Sequence, residues 1–228
     1  MPQMKLKESW KFSELSEQAK ERASAWYREG NLDYDWWDNV YEDAIRMAEI
    51  IGISVDYRYH APSGPGRRGY KEPKIWFSGF CHQGSGACWE GSYSYAPGAL
   101  KKLQSEAPAF YKDAEGVERP IPANAELHRI AKALQDAQKR QFYQLGAYVT
   151  HSGHYSHSGC MRVEVHHRED YYRDIGDAEE DITDALRHFA DWIYRRLEEE
   201  YEWLNSDEVI DEHLEGNDYA FCEDGSLW

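Results

Sequence analysis

A chain of 228 residues, 41% hydrophobic and 14% aromatic with nine Trp and seventeen Tyr, has ample material for a core without disulfide or metal staples. Its formal net charge of −16 argues against direct contact with nucleic acid. No apolar run approaches the roughly 20 residues that a membrane span requires.

LSEQAKERASAWYREGN reads as a helix capped by Ser16, with Gly30 after its last turn and Leu15, Ala19, Ala23, Trp26 and Tyr27 on one side. DYDWWDNVYEDAIRMAEIIG predicts a second helix, capped by Asp33 or Asp35 and stopped by Gly52. Its core stripe is Trp36, Val40, Ala44, Met47 and Ile51. ISVDYRYH alternates as a strand does. APSGPGRRGYKEP then reads as a loop, because Pro and Gly block both regular structures. It carries the chain's one dense basic cluster, Arg67, Arg68, Lys71 and Lys74.

KIWFSGF and ACWEGSYSY are short and aromatic, the pattern of a β-hairpin joined by CHQGSG. PGALKKLQSEAP predicts a short helix and PANAELHRIAKALQDAQKRQF a longer one, with Leu127, Ile130, Leu134 and Ala137 inward. FYQLGAYVTHS and SGCMRVEVHH predict a second hairpin, in which Met161, Val163 and Val165 alternate with Arg162, Glu164 and His166. DAEEDITDALRHFADWIYRRLEEEYEWL has the strongest helical pattern, with Asp177 and Glu180 spaced as a capping box. Ile182, Leu186, Phe189, Ile193, Leu197 and Leu204 form its apolar stripe. NSDEVIDEHLEG predicts a shorter acidic helix, and DYAFCEDGSLW a closing turn at Asp224–Gly225.

The order is helices, hairpin, helices, hairpin, helices, without βαβ alternation or a phosphate loop. The expected fold is α+β: an antiparallel sheet of about four strands, made from the two hairpins and packed with several helices, in a single domain. FSGFCHQGSGACWEG and HSGHYSHSGCMRVE echo each other, each with Ser-Gly, a short polar stretch holding His, a second Gly and a Cys. Related tips paired side by side would gather His82, His151, His154 and His157. Hairpin tips also favour Gly, Ser and polar residues for turn geometry alone.

The four cysteines, Cys81, Cys88, Cys160 and Cys222, form no Cys-x-x-Cys pair, which removes the commonest zinc framework. MPQMKLKESW has no apolar stretch of the kind that heads a secretory signal, so reduced thiols and a cytoplasmic location are expected. His151, His154, His157 and Cys160 recur every third residue. Residues three apart on a strand point to opposite faces, so these four cannot all converge on one ion. A turn over Ser152–His157 would set His151 across from His157, which is half a metal site. Cys160 with a neighbouring His is the other available chemistry, but a Cys opening an apolar strand is more often a small buried residue. No cofactor is expected.

The charge is lopsided. Residues 169–228 hold 21 Asp and Glu against 4 Lys and Arg, a local net of −17, while residues 1–168 sum to +1. Such a face attracts basic proteins, although charge runs often serve only solubility. The residues expected to meet a partner are Glu179, Asp184, Asp191, Glu198, Glu199, Glu202, Asp207, Glu208, Asp211 and Glu212.

LSEQAKERASAWYREGN, DYDWWDNVYEDA, IWFSGFCHQGSGACWEGSYSY, HSGHYSHSGCM and LEEEYEWLNSDE together resemble a group of uncharacterised bacteriophage and prophage proteins loosely labelled "antitoxin of toxin–antitoxin stability system". The resemblance covers most of the chain except APSGPGRRGYKEP and DAEGVERPIP, which look like insertions. It implies expression in the cytoplasm of an infected bacterium. In the family pattern Arg often matches His154 and Ser often matches His82, so the resemblance makes neither a required ligand.

The expected function is therefore non-catalytic. A phage-encoded acidic protein would antagonise a basic host protein, such as a nucleic-acid-binding defence protein, by presenting carboxylates where a phosphate backbone would lie. Three alternatives stay open. One is a nucleotide or small-ligand module using Trp76, Phe80, Trp89 and Tyr93 with Phe77 and the cations Arg67 and Arg68. Another is an antitoxin neutralising a basic toxin. The third is a metal-dependent hydrolase using His151 and His157 with Glu164 or Glu90.

Overall fold

A computed structural model describes residues 8–62, 64, 66–80, 82 and 84–228. Cys81, expected as a reduced thiol, lies outside the described residues. The fold is α+β, with six α-helices among the described residues, a four-stranded antiparallel sheet and small two-stranded hairpins. The chain divides into two units, residues 39–197 and the segments 1–38 with 198–228.

The larger unit begins in α2 (Asp38–Ile51), whose Val40, Ala44, Met47 and Ile51 are buried as the periodicity requires. The helix starts at Asp38, whose N–H closes the preceding turn onto the Asp35 carbonyl at 3.2 Å. Gly52 stops it in the left-handed region at φ 91°, where a Cβ would lie 2.0 Å from the Ser94 carbonyl oxygen. The strands are β1 (Ile53–Val55), β2 (Tyr57–His60), β3 (Tyr70–Pro73), β4 (Ile75–Phe77), β5 (Ala87–Trp89) and β6 (Gly91–Ser94). After α3 (Ala99–Glu106) come β7 (Phe110–Lys112), β8 (Glu118–Pro120), α4 (Pro122–Arg140), β9 (Leu145–His151) and β10 (Met161–His167).

The central sheet runs β1-β6-β9-β10. The second predicted hairpin is present as β9 and β10, in register from His151 opposite Met161 to Leu145 opposite His167. The first differs from expectation. ACWEGSYSY is two strands, not one: β5 pairs only with β4, while β6 enters the central sheet between β1 and β9. Gly91 makes the break, because a Cβ there would sit 2.0 Å from the Ser54 carbonyl oxygen. β2 pairs with β3, so the end of the predicted loop APSGPGRRGYKEP is a strand. β7 and β8 form a third small hairpin, whose turn and second strand lie in the segment read as an insertion, DAEGVERPIP.

One face of the central sheet is dry. Ile53, Val55, Tyr93, Leu145, Ala147, Val149 and Met161 are buried, while Ser54, Ser94, Tyr148, Thr150, Arg162 and Glu164 are exposed. α4 supplies Leu127, Ile130, Leu134 and Ala137 to the core. α5 (Ala178–Leu204) contributes Ile182, Leu186, Phe189 and Ile193 within this unit. Trp89 lies edge-on to Phe189, with centroids 6.1 Å apart, and its indole donates to the Leu186 carbonyl at 3.4 Å. Gln138 is fully buried and ties α4 to the sheet, since it donates to the Leu145 carbonyl at 2.8 Å and accepts from the Leu145 N–H at 3.1 Å.

The smaller unit has its own core of Phe12, Leu15, Ala19, Ala23, Ile210, Leu214 and Phe221, with Trp10, Tyr27 and Tyr219 packed against it. α1 (Glu17–Gly30) is capped by Ser16, whose hydroxyl accepts from the Ala19 N–H at 3.4 Å. α6 (Asp207–Gly216) is capped by Ser206, with Asp207 and Glu208 in its first turn, where the helix dipole favours anions. The closing segment returns as a bridge from Phe221 to Trp10, and Gly225 takes φ 82° in the predicted turn.

Candidate functional site

The ten carboxylates expected to form a partner face divide between the units. Glu179, Asp184 and Asp191 lie on the part of α5 that belongs to residues 39–197, and the other seven belong to the smaller unit. The two sets differ chemically. Two ion pairs within this unit join α4 and α5: Asp181 of α5 pairs with Arg140 of α4, and Glu126 of α4 with Arg195 of α5. Asp184 lines a groove of about 360 Å³ between α4 and α5 whose walls include Arg129 and His188 as well as Glu126 and Asp181. This is a mixed surface, not an anionic one.

The smaller unit is different. Residues 1–38 and 198–228 hold 20 Asp and Glu against 6 Lys and Arg, a net of −14. Residues 39–197 hold 22 against 20, a net of −2. Glu199, Glu202, Asp207, Glu208 and Glu212 are exposed, and Glu198 and Asp211 half-buried. Some acids here are paired, Asp207 with Arg28, Asp218 with Lys11 at 3.1 Å and Asp224 with Arg22 at 2.6 Å. Asp211 accepts from the Ser24 hydroxyl at 3.4 Å. The Ser226 hydroxyl and N–H, with Arg22 beside them, hold the Asp224 carboxyl below its ordinary range. Six bases leave most of the 20 acids unanswered, so this unit carries nearly all of the protein's anionic field.

The histidine-rich tip is built differently from the sequence expectation. Met161, not His157, stands opposite His151. Residues 152–157 form the loop, and Ser158–Cys160 a single 3₁₀ turn. His151 Nε2 donates to the Tyr155 carbonyl at 2.9 Å, and its ring lies 5.5 Å from that of Trp76. His157 Nδ1 accepts from the Gly159 N–H at 3.0 Å, which leaves the ring hydrogen of the neutral form on Nε2, 3.2 Å from Cys160 Sγ. The nitrogen facing the sulfur is thus a donor, so His157 is not set to take a proton from Cys160. His154 is exposed.

The two echoing segments touch at Ser78 and Gly86, which flank the first loop. His157 packs on Gly86, where a Cβ would lie 2.6 Å from its own Cβ, and the Ser78 hydroxyl donates to the Ser156 carbonyl at 3.4 Å. Among the described residues no three His, Cys, Asp or Glu side chains converge to hold a metal ion, so the His151 and His157 alternative finds no third ligand there. Glu90 is engaged by Lys74 at 2.8 Å and accepts from the His151 N–H at 3.2 Å. Burial pushes the Cys88 thiol up to about 12, which removes it as a nucleophile.

The ligand-pocket set is corrected by burial. Trp89 is 0% exposed and Tyr93 3%, and both are core residues. Tyr93's hydroxyl accepts from Gln138 at 3.3 Å, and burial raises it to about 12. Phe80 is half-buried against Phe77 and Tyr194, and Trp76 is half-buried beneath Arg58, 5.7 Å from the ring centroid. Arg67 and Arg68 are exposed in the loop before β3. Sequence reasoning missed the β2–β3 ribbon, where Tyr57, Tyr59 and Tyr70 are all exposed and His60 stacks on Tyr70 at 4.5 Å. The alternation of Tyr with Arg58 and His60 in YRYH was the available signal.

An α+β protein with one unit near neutrality and one strongly acidic is thus defined by fold and charge. The chain belongs to the family described as a domain of unknown function, DUF8835, whose model matches residues 36–207. That match takes in all of residues 39–197 and ends at the first residue of α6. No curated protein and no solved structure matches the chain. No described helix is long and apolar enough to cross a membrane.

Proposed function

We propose that this protein is a phage-encoded, non-catalytic acidic binder. It acts in the bacterial cytoplasm and antagonises a host defence protein by occupying that protein's basic surface. The single observation that carries this reading is the concentration of net charge, −14 in residues 1–38 with 198–228 against −2 in residues 39–197. A unit with that imbalance and exposed carboxylates at Glu199, Glu202, Glu208 and Glu212 attracts a cationic groove over distance and stands in for phosphates on contact. The phage-protein resemblance supplies the host-antagonist setting, and neutralising a basic toxin is the same physical act on another partner. The test is capture of the partner from bacterial host lysate with a salt titration, using wild type and a variant with Glu199, Glu202, Glu208 and Glu212 changed to Lys. Affinity should fall about tenfold or more at low salt in the variant, with a flatter salt dependence. An interaction untouched by all four reversals would falsify the reading.

A second reading has its own observation. The β2–β3 ribbon presents exposed Tyr57, Tyr59 and Tyr70 beside Lys71, Arg67 and Arg68, groups that stack a base and neutralise phosphate. A thermal-shift screen with linear and cyclic nucleotides tests it, since a specific ligand raises stability by mass action. Melting temperatures unchanged at millimolar nucleotide would dismiss it.

A further inference from the structure

We infer that Trp26, Tyr27 and Tyr219 form a socket for a single cationic side chain, an arginine or lysine of the basic partner. This rests on the acidic-binder reading above and gives it a point of contact. Trp26 and Tyr27 sit together near the end of α1, and Tyr219 follows α6. Their rings are steeply inclined to one another. Trp26 and Tyr219 are 5.6 Å apart at 77°, Tyr27 and Tyr219 6.1 Å at 70°, and Trp26 and Tyr27 6.4 Å at 61°. Three planes so disposed make a corner, not a stack. They line an open cavity of about 460 Å³ together with Glu29, Gly30 and Asn31.

The corner is held from behind. Trp26 lies edge-on to the fully buried Phe221 at 6.2 Å, and the Tyr27 hydroxyl is hydrogen-bonded to His213 Nδ1 at 3.1 Å. Its mouth is open, because a Cβ added at Gly30 would meet nothing within 4 Å.

The ligand class follows from the walls. Aromatic faces carry negative quadrupoles and attract cations, most strongly where Trp takes part. Glu29 is exposed at the mouth and has no basic partner among the described residues, whereas Asp207, Asp218 and Asp224 each have one. Asn31 spends an amide hydrogen on the Leu204 carbonyl at 3.1 Å. An anion would meet the field of a unit of net charge −14, and an apolar ligand would leave Glu29 unanswered. A guanidinium or ammonium satisfies both the rings and the carboxylate.

The test uses the full chain and two probes. Nona-arginine is titrated by isothermal calorimetry into wild type, Tyr219→Leu, Glu29→Gln and the control Glu212→Gln, an acid of the same unit that does not line the corner. N-acetyl-arginine amide is titrated by NMR while the Trp26 indole N–H is followed. Because Glu29 is exposed, its variant keeps the fold even where Tyr219→Leu loosens it. The expected result is a roughly tenfold weaker nona-arginine affinity for Tyr219→Leu, a severalfold loss for Glu29→Gln beyond that for Glu212→Gln, and a saturable shift of the Trp26 indole. Equal binding by all four proteins with an unmoved Trp26 overturns the socket while leaving the acidic reading intact. No nona-arginine binding by any of the four proteins, with an unmoved Trp26, overturns the socket and the acidic reading together.

Discussion

The two units of this chain use acidic residues in opposite ways. In residues 39–197 carboxylates meet bases, as Asp181 meets Arg140, Glu126 meets Arg195 and Glu90 meets Lys74, and the net charge is −2. In residues 1–38 and 198–228 a small aromatic and aliphatic core carries a net of −14. Self-repulsion of that size destabilises a compact state, so this composition is costly for folding and useful for long-range attraction. The comparison turns on whether the units are energetically separate as well as chemically distinct.

The largest effects come from their cores. Trp89→Ala removes a fully buried indole from residues 39–197 and should cost about 3–5 kcal/mol, read by hydrogen exchange as lost protection in β9 and α4. Phe221→Ala, equally buried, should cost a similar amount, read in α1 and α6. If either variant erased protection in both sets of elements equally, the division into two units would have no energetic meaning.

Gln138→Leu sharpens the picture of the neutral unit at nearly constant volume. It strips partners from the Leu145 N–H and carbonyl and from the Tyr93 hydroxyl, all in the core. About 2–4 kcal/mol should be lost, seen as a lower denaturant midpoint with an unchanged slope.

A smaller effect has a pH signature. Burial alone would raise the Glu90 carboxyl, but the hydrogen bond from Lys74, the His151 N–H and the Lys74 charge outweigh it, and the net direction is down. Lys74 moves up, chiefly through its hydrogen bond to Glu90. A lowered acid stabilises above its unfolded pKa and loses that contribution as pH falls through the folded value. A raised lysine stabilises below its unfolded pKa and loses the contribution as pH rises through the folded value. Lys74→Met should therefore cost about 1–2 kcal/mol at neutral pH, and the gap to wild type should close as Glu90 protonates at acid pH, below the ordinary glutamate range. A gap constant down to pH 3 in urea melts would assign the loss to packing instead.

Much of this was legible in the sequence where the signal is local. Ser16 caps a helix, Gly52 ends one, and the stripe from Ile182 to Leu204 is buried throughout. Strand partnership was not legible, because it is decided by residues distant in sequence. ACWEGSYSY reads as one strand until Gly91 meets the Ser54 carbonyl and sends β6 into the central sheet. Aromatic alternation looks the same in a core and in a pocket, so the sequence alone does not separate the core residues Trp89 and Tyr93 from ligand contacts. The charge excess and its bias toward residues 169–228 were visible, but its division between the two units was not. α5 is continuous in pattern, yet its residues to Leu197 belong to the neutral unit and those from Glu198 to the acidic one.

The smallest effect tests the acidic unit's self-repulsion directly. Raising ionic strength from about 0.02 to 0.5 M shortens the Debye length from roughly 20 Å to under 5 Å, which screens like charges more than it weakens the few close pairs with Arg22, Arg28 and Lys11. Exchange protection in α1 and α6 should rise by about 0.5 kcal/mol, while β9 and α4, in a unit of net charge −2, should stay level. Changing Glu202, Glu208, Glu212 and Glu215 to Gln should flatten the response in α1 and α6. A uniform rise in all four elements would trace the salt effect to general burial of apolar surface, and the contrast between the units would then lie in composition alone.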